Sequence, residues 1–312
     1  MFATLLGALP RPPRAFTLDD EVVAAIRAQE EAGLEPLTDG RRRDPGSDAL
    51  IDGLAGRATP VDPVAWWSFA AASTSRAVKQ ALPGPYSIGW IAARAGDGAG
   101  RNAAVHAAAA GLHTIVRTLA DRGCPLIEIE ETEAHRIGDD DSERALFREA
   151  HRIVTEDVRG THLSLSIVGG PAAGAGVETI LDAPYASLAV DLIQGPDNWN
   201  LVTRAAGDRG IVAGALAARE HGDEPKEVLL WAAHYAASTG GRGLARAGLG
   251  SAGSYASLPW AVAVRKMRLL GTVARLAELP PSEELTEALD PRAISARRAA
   301  LGRHAPARPR RC

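Results

Sequence analysis

The chain has 312 residues, of which 46% are hydrophobic and 23% are charged, proportions typical of a folded globular protein. A net charge of −3 gives no electrostatic basis for binding nucleic acid or an acidic membrane surface. Cys124 and Cys312 are the only cysteines, which excludes a disulfide framework and a cysteine zinc cluster.

The composition predicts a cytoplasmic protein. Two cysteines fit a reducing compartment, and the first residues lack the basic region that opens a secretory signal. No stretch approaches the ~20 apolar residues that a membrane span needs. We therefore expect small-molecule substrates and neither a nucleic-acid nor a membrane partner.

Short apolar runs alternate with helical patterns along the whole chain. Strands are predicted at residues 2–8, 34–40, 78–86, 125–131, 161–167, 187–193, 210–216 and 241–248. Helices are predicted between them, the clearest at residues 18–33, 102–123, 140–160 and 223–239. Eight β-then-α units favour an α/β fold, a (β/α)8 TIM barrel that forms a single domain over residues 1–290. A doubly wound open sheet is the alternative, but no glycine-rich phosphate motif follows the first strand.

Two segments depart from this alternation. Residues 41–76 are longer than one helix needs and predict an insertion over one end of the barrel. Residues 291–312 are rich in Arg, Ala and Pro, which predicts a basic and flexible C-terminal tail.

Polar residues occupy one face of three consecutive predicted strands. Alternate side chains of a barrel strand face the lumen, and catalytic groups gather at the C-terminal strand ends. The side chains predicted to face the lumen are Glu128, Glu130, His162, Ser164, Ser166 and Asp191, with Glu131 at the rim. Buried charges are costly unless they are paired or bind a ligand. We therefore expect His162, Glu130 and Asp191 to converge in one site, and a structural polar layer is the alternative.

Two further features lie where such a site would open. Arg41, Arg42 and Arg43 follow the second predicted strand and are expected to clamp an anionic group, unless they form an ordinary solvated loop. Tyr86 and Trp90 follow the third strand and form an aromatic pair that would stack a flat ligand, with simple packing as the alternative.

Six short stretches, taken in order, resemble the cobalamin-independent methionine synthases and their single-barrel relatives, whose superfamily includes uroporphyrinogen decarboxylase. They are LLGALPRP, QEEAGLEPLTDG, LPGPYSIGW, IEIEETEA, THLSLS and AGLGSAGSYASLPWAVAVRKM. The resemblance covers residues 3–280 and implies a TIM barrel.

The resemblance also implies how the site has diverged. The family transfers a methyl group from a methyl-folate to the thiol of homocysteine, which is held by zinc on a His-x-Cys pair, a Glu and a second Cys. The matching residues here are His162, Ser164, Asp191 and Ala247. Because both cysteines are absent, we expect no zinc and no metal site.

The expected function is methyl or other group transfer on a folate-like or other anionic small molecule, with a methyl-folate as the candidate cofactor. His162 would act as the acid or base, and Glu130 and Asp191 would orient it or bind the substrate. Glu128, Glu131 and Ser164 would also contact the substrate. A metal-free lyase or decarboxylase, a non-catalytic ligand-binding homologue, and assembly as a homo-oligomer or with a partner subunit are the alternatives.

Overall fold

The structure is a computed structural model that describes residues 1–44, 61–95, 100–219 and 221–279. The predicted tail (residues 291–312) and residues 45–60 of the predicted insertion lie outside these described residues. No further structural statement concerns them.

Within the described residues, seven strands form one curled sheet in which every pairing is parallel. The strand order is β1-β7-β6-β5-β4-β3-β2, so β1 and β2 are the edge strands. The strands are β1 (Phe2–Thr4), β2 (Lys79–Pro83), β3 (Leu126–Glu131), β4 (His162–Ile167), β5 (Ser187–Asp191), β6 (Gly210–Leu216) and β7 (Ala247–Ser251).

Helices follow most of the strands. They are α1 (Leu18–Ala32), α2 (Pro63–Ala72), α3 (Pro85–Ala95), α4 (Arg101–Asp121), α5 (Asp141–Thr155), α6 (Val177–Leu181), α7 (Trp199–Arg204), α8 (Lys226–Ser238) and α9 (Trp260–Ala277). None of these helices combines the length and the apolarity that crossing a bilayer requires.

Local sequence explains where α1 begins and ends. The Thr17 hydroxyl accepts a hydrogen bond from the Asp20 amide, and the Asp20 carboxylate accepts one from the Thr17 amide. This reciprocal pair satisfies amides that have no partner inside the helix. The helix stops at Gly33, whose φ of 77° is a conformation that glycine adopts without strain.

A short segment joins the two edge strands of the sheet. The Glu35 amide donates to the Ala3 carbonyl of β1 at 2.9 Å. On its other side the Leu37 amide donates to the Ala77 carbonyl at 2.8 Å, and the Lys79 amide of β2 donates to the Leu37 carbonyl at 2.9 Å. The predicted strand at residues 34–40 is therefore reduced to one bridge, between Leu37 and Val78, with hydrogen bonds to both edges.

Most element predictions are confirmed, with shorter boundaries. The strand predicted at residues 210–216 is found as Gly210–Leu216. Two strands differ from the prediction. The strand predicted at 78–86 ends at Pro83, because Pro85 opens α3, and the last strand covers Ala247–Ser251 instead of residues 241–248.

Apolar side chains fill two places. The larger cluster lies between the sheet and the helices and includes Ile127, Leu165 and Leu188. A smaller apolar layer lies on the inner side of the sheet, formed by Leu6, Val168, Ala189 and Val212 with Phe2 packed against them. This inner layer covers the part of the inner face from the middle of β5 and β6 to the ends of β1 and β4.

Candidate functional site at the C-terminal end of the sheet

The polar inner face predicted from strand alternation is present. The sheet register pairs Glu128 with Ser164 and Glu130 with Ser166, so these four residues share one face of β3 and β4. All four are buried, as is Asp191 at the end of β5. The face itself is confirmed, but its members lie at different heights along the strands.

The expected convergence of His162, Glu130 and Asp191 is wrong. His162 is the first residue of β4 and pairs in register with Leu126, the first residue of β3, whereas Asp191 is the last residue of β5. In a parallel sheet these positions lie at opposite ends. The His162 Nε2 atom lies 2.8 Å from the Ser187 hydroxyl at the N-terminal end. A catalytic role for His162 together with Glu130 and Asp191 therefore has no geometric basis.

Glu130 and Arg41 form the centre of the C-terminal end. Glu130 lies one residue before the end of β3, and its Oε1 atom accepts a hydrogen bond from Arg41 Nη1 at 2.6 Å. Arg41 Nε lies 3.3 Å from a carboxylate oxygen of Asp44. Among the described residues, the buried Oε2 atom of Glu130 has no hydrogen-bond partner. The buried hydroxyl of Ser166, the register neighbour of Glu130, has none either.

The backbone around Arg41 explains how a loop arginine reaches the lumen. The Asp39 carboxylate accepts a hydrogen bond from the Arg41 amide at 2.8 Å, and Arg41 has a φ of 53°. Such turns support a left-handed backbone at a residue other than glycine. Burial raises the pKa of Asp39. Burial alone would lower the pKa of Arg41, but the neighbouring Glu130 and Asp44 carboxylates raise it, so the guanidinium stays charged.

Arg42 and Arg43 do not face the lumen, so the three-arginine anion clamp is wrong. Arg42 donates to the Glu21 carboxylate at 2.8 Å and to the Leu9 carbonyl at 2.8 Å. Arg43 pairs with Asp19 and lies over the ring of Phe69 at 4.0 Å. Both side chains fasten the loop to its surroundings, and Arg41 is the member of the run that reaches Glu130.

Glu131 is a buried structural carboxylate and not a rim residue. Its oxygens accept hydrogen bonds from the Tyr86 amide at 3.0 Å and the Ser87 amide at 2.8 Å in the first turn of α3. A carboxylate suits this position because the helix N-terminus carries partial positive charge. The His151 Nε2 atom lies 3.1 Å from Glu131, and the other ring nitrogen lies 2.7 Å from the Tyr185 hydroxyl.

The aromatic pair, Tyr86 and Trp90, already contacts other side chains of the protein. Tyr86 is fully buried, and its hydroxyl donates to Glu143 at 2.6 Å, so it does not line a pocket mouth as predicted. The Trp90 ring has the guanidinium groups of Arg101 and Arg136 over it, at 4.6 and 5.2 Å. Cation–π packing therefore takes the place that we expected for a stacked ligand.

Asp191 is held by its own loop and by the loop that follows β4. Its Oδ1 atom accepts hydrogen bonds from the amides of Ile193 and Gln194, each at 2.9 Å. Its Oδ2 atom accepts from the Gln194 side chain at 3.2 Å and from the Gly169 amide at 3.4 Å. These bonds define the loop after β5 and leave the carboxylate with a structural function.

The residues present do not fit zinc. His162 and Ala247 open their strands and Asp191 closes its strand, so the four positions matched by resemblance do not meet. The side chain of Ser164 is also a poor zinc ligand, and that of Ala247 cannot bind zinc at all. Within the described residues no group of three or more His, Cys, Asp or Glu is arranged to hold a metal ion. No step of a reaction is therefore assigned to zinc.

Lys79 is a charged residue that the sequence analysis missed. Its Nζ atom donates to Glu128 at 2.8 Å and to the Leu5 carbonyl at 2.7 Å, and both side chains of the pair are buried. A lysine inside a predicted apolar strand was the available signal. Asp39 and Asp44 were also missed, because their positions depend on how the loop turns towards Arg41.

Comparison with solved structures identifies the fold. The chain matches a B12-independent methionine synthase from Shewanella sp. W3-18-1 in complex with selenomethionine, with a TM-score of 0.71, 13% identity, and coverage of 96% of this chain and 98% of the other. It also matches a putative vitamin-B12 independent methionine synthase from Listeria monocytogenes, with a TM-score of 0.68, 14% identity and coverage of 90% and 98%. A third match is a methyltransferase from Methanosarcina mazei, with a TM-score of 0.60, 13% identity and coverage of 88% and 93%.

Comparison by sequence gives no such match. No protein-family model matches the chain, and no curated protein does. At these identities the structural likeness establishes the architecture, and the site residues described above carry any argument about chemistry.

Proposed function

We propose that this protein is an enzyme of the methyltransferase type that acts on a small molecule bound beside Glu130 and Arg41. The observation that carries the proposal is the Glu130 carboxylate, which is buried at the C-terminal end of β3 with one oxygen paired to Arg41 and the other unpartnered. Leaving a buried acceptor unpaired costs stability, so a substrate donor is its natural partner. The fold likeness to a B12-independent methionine synthase, a putative one and a methyltransferase supports the reaction class.

The proposed substrate has an amino group next to a polar or anionic portion. In the methionine synthases that the sequence resembles, an aspartate at the Glu130 position holds an amino group, and Glu130 keeps the carboxylate with one more methylene. The substrate N–H would donate to Glu130 Oε2, while Arg41 holds Glu130 Oε1 in place. The Ser166 hydroxyl lies on the neighbouring strand and would take a further polar atom of the substrate.

In the proposed reaction, the bond from the donor atom to the methyl carbon breaks and its electron pair stays on the donor. A lone pair of the acceptor atom forms the new bond to that carbon, and the acceptor loses its proton. The contribution of this chain is to bind and orient the acceptor through Glu130 and to exclude water. A methyl-folate stays the proposed donor, although Trp90 is not proposed as its platform.

We also propose that residues 34–38 close the sheet into a (β/α)8 barrel. The support is the hydrogen bonding from Glu35 to β1 on one side and between Leu37 and Lys79 of β2 on the other. A closed barrel places functional groups at the C-terminal strand ends, where Glu130 lies.

The lyase alternative loses its main support with the arginine run. A polycarboxylate substrate needs several free cations, and Arg42 and Arg43 are committed to Glu21 and Asp19. The non-catalytic alternative predicts ligand binding at Glu130 without turnover, which the following experiment distinguishes.

The test is a methyl-transfer assay with 5-methyltetrahydrofolate or S-adenosylmethionine carrying a labelled methyl group. Amino acids are offered as acceptors, and labelled products are detected by mass spectrometry. We expect Glu130→Gln to reduce kcat/KM by about ten- to a hundredfold, because a hydrogen bond to a charged group is lost. Arg43→Gln is the matched control and should retain activity. Calorimetric binding without transfer would support the non-catalytic alternative, and full activity of Glu130→Gln would contradict the assigned site.

A further inference from the structure

A second cavity lies at the opposite end of the lumen. It has a volume of about 430 Å³ and opens beside the first residues of β3, β4 and β6. His162, Ser187 and Arg246 border it, and Glu128 and Lys79 lie inside it. Volumes of about 300–1,000 Å³ are typical of sites that bind small molecules.

The inner apolar layer borders this cavity on the side that faces the C-terminal ends of the strands. Phe2 and Val212 belong both to that layer and to the lining of the cavity. Leu6 and Val168 lie beyond them, each after the last residues of its strand. Neither Glu130 nor Arg41 lines the cavity, although both lie close enough to Glu128 for their charges to act on it.

The polar groups in the cavity are not all satisfied. Glu128 is 2% exposed and its Oε2 atom accepts a hydrogen bond from Lys79, but its Oε1 atom has no partner among the described residues. If the polar lining served only the fold, this buried acceptor would have been paired. The unpartnered oxygen is the independent sign of a ligand.

The positively and negatively charged side chains around the cavity are equal in number. Lys79 is paired with Glu128, and the rim carries one acid and one base, Asp208 and Arg246. Burial lowers the pKa of His162, which keeps the imidazole uncharged at neutral pH. Phe2, Leu126 and Val212 supply apolar walls. A neutral ligand with an apolar body matches this lining better than an ion does.

We propose that this cavity is a second ligand site, which binds a neutral, flat aromatic molecule that carries a hydrogen-bond donor such as an amide. The aromatic body packs against Phe2, Leu126 and Val212. The donor reaches Glu128 Oε1, and the carbonyl accepts from the serine hydroxyl or imidazole group at the rim. The site does not depend on the methyl-transfer proposal, because neither Glu130 nor Arg41 lines it.

Benzamide is a suitable probe for this site, since it has a flat ring, an amide donor and no charge. Its binding is followed by the backbone amide resonances of isotope-labelled full-length protein. We expect saturable shifts at Glu128, Ser164 and Ser187, with a Kd of about 1 mM for so small a ligand. The resonances of Arg41 and Glu130 should not shift at lower benzamide concentrations than those of Glu128, Ser164 and Ser187. Shifts centred on Arg41 and Glu130, or no saturable shift up to about 10 mM, would overturn the proposal.

Two substitutions separate occupancy from folding. Ser187→Leu fills the cavity and should abolish saturable benzamide binding up to about 10 mM, whereas Ser187→Ala keeps the space, removes one hydroxyl and should weaken binding by no more than about tenfold. If Ser187→Leu does not fold, Val212→Phe fills the same space from β6. Unchanged affinity in a folded cavity-filling variant would contradict the site.

Charged analogues test the class of ligand. Benzoate and benzamidinium have nearly the same shape as benzamide, and we expect each to bind at least about tenfold more weakly because the cavity offers no net counter-charge. Tighter binding of either ion than of benzamide would refute a neutral ligand.

Discussion

Lys79 and Glu128 form a buried ion pair in which each side chain compensates the charge of the other. Their atoms are 2.8 Å apart, and both side chains are almost fully buried. Burial raises the pKa of Glu128, and the Lys79 charge opposes that rise. We expect Lys79→Met to lower the free energy of unfolding by about 3–5 kcal/mol, because it leaves a buried carboxylate uncompensated. Urea denaturation at neutral pH measures the change.

The control for this pair is the double variant Lys79→Met/Glu128→Leu. Removing both charges should restore most of the lost stability, since replacing a buried pair by apolar residues is often nearly neutral. A single-variant loss below about 1 kcal/mol would show that water reaches the pair.

His162 should make the stability of the fold depend on pH. Burial lowers the pKa of His162 in the folded state, so the unfolded chain binds the proton more tightly. The stability that this group contributes is present above the ordinary imidazole pKa of about 6.5 and is lost as the pH falls through the folded-state pKa. The charged groups around the same cavity are Lys79, Glu128, Asp208 and Arg246.

The measurement is the free energy of unfolding at about pH 7.5 and about pH 5.5. The decrease between them should be smaller in His162→Gln than in the unchanged protein. Part of the pH dependence should remain in this variant, because burial also lowers the pKa of His234. Identical slopes in the two proteins would contradict a lowered pKa of His162 in the folded state.

Single residues show what the sequence could and could not predict about the site. The inward face of Glu128 and Glu130 was predictable, because the two-residue period of a strand is a local property. The position of His162 at the N-terminal end of the sheet was not predictable, because it depends on pairing with Leu126 on the neighbouring strand. The partners of Arg42 and Arg43 were equally out of reach, since Glu21 and Asp19 come close only in the folded chain.

At the scale of elements, α1 depends on its N-terminal cap. Thr17→Ala removes the hydroxyl that accepts from the Asp20 amide, and we expect a loss of about 1 kcal/mol in the free energy of unfolding. Thr118→Ala is the matched control, because this exposed threonine lies inside α4 and caps nothing. Its effect should be within about 0.5 kcal/mol. Urea denaturation measures both changes in the free energy of unfolding. Equal changes for the two substitutions would contradict a stabilising role of the cap.

A glycine lets α9 approach α1 closely. A Cβ at Gly271 would overlap the Ala32 carbonyl oxygen at the end of α1. Alanine improves helix propensity by up to about 1 kcal/mol, but overpacking costs about 1–3 kcal/mol, so we expect Gly271→Ala to destabilise the protein. Gly222→Ala is the control, because a Cβ there meets open space. A higher melting temperature for Gly271→Ala would contradict the close packing.

Elements were predictable where local signals agree. Thr17, Asp20 and Gly33 mark both ends of α1, and strand and helix patterns matched observed elements in most of the described chain. The third predicted strand extends too far, because Gly84 and Pro85 turn the chain into α3. Gly84 packs against Glu131, where a Cβ would overlap the carboxylate, and this contact fixes the turn into α3.

At the scale of the whole molecule, hydrogen exchange tests the proposed barrel closure. If residues 34–38 complete a barrel, the amides of Glu35 and Leu37 should exchange as slowly as those of β3 and β4, because they would open only with global unfolding. The Lys79 amide, which donates to Leu37, provides an internal comparison on β2. Exchange of Glu35 and Leu37 at the rates of exposed loops would show an open sheet.

The inner layer of Leu6, Val168, Ala189 and Val212 also constrains the order of events at Glu130. If these side chains block the lumen, it is blind-ended, and every molecule that enters from the C-terminal end must leave by the same opening. When two reactants share such a chamber, the deeper one must arrive first and depart last. Steady-state kinetics would then follow a compulsory order, in which the deeper reactant competes with the product that is released last, and the reactant bound nearest the opening competes with neither product.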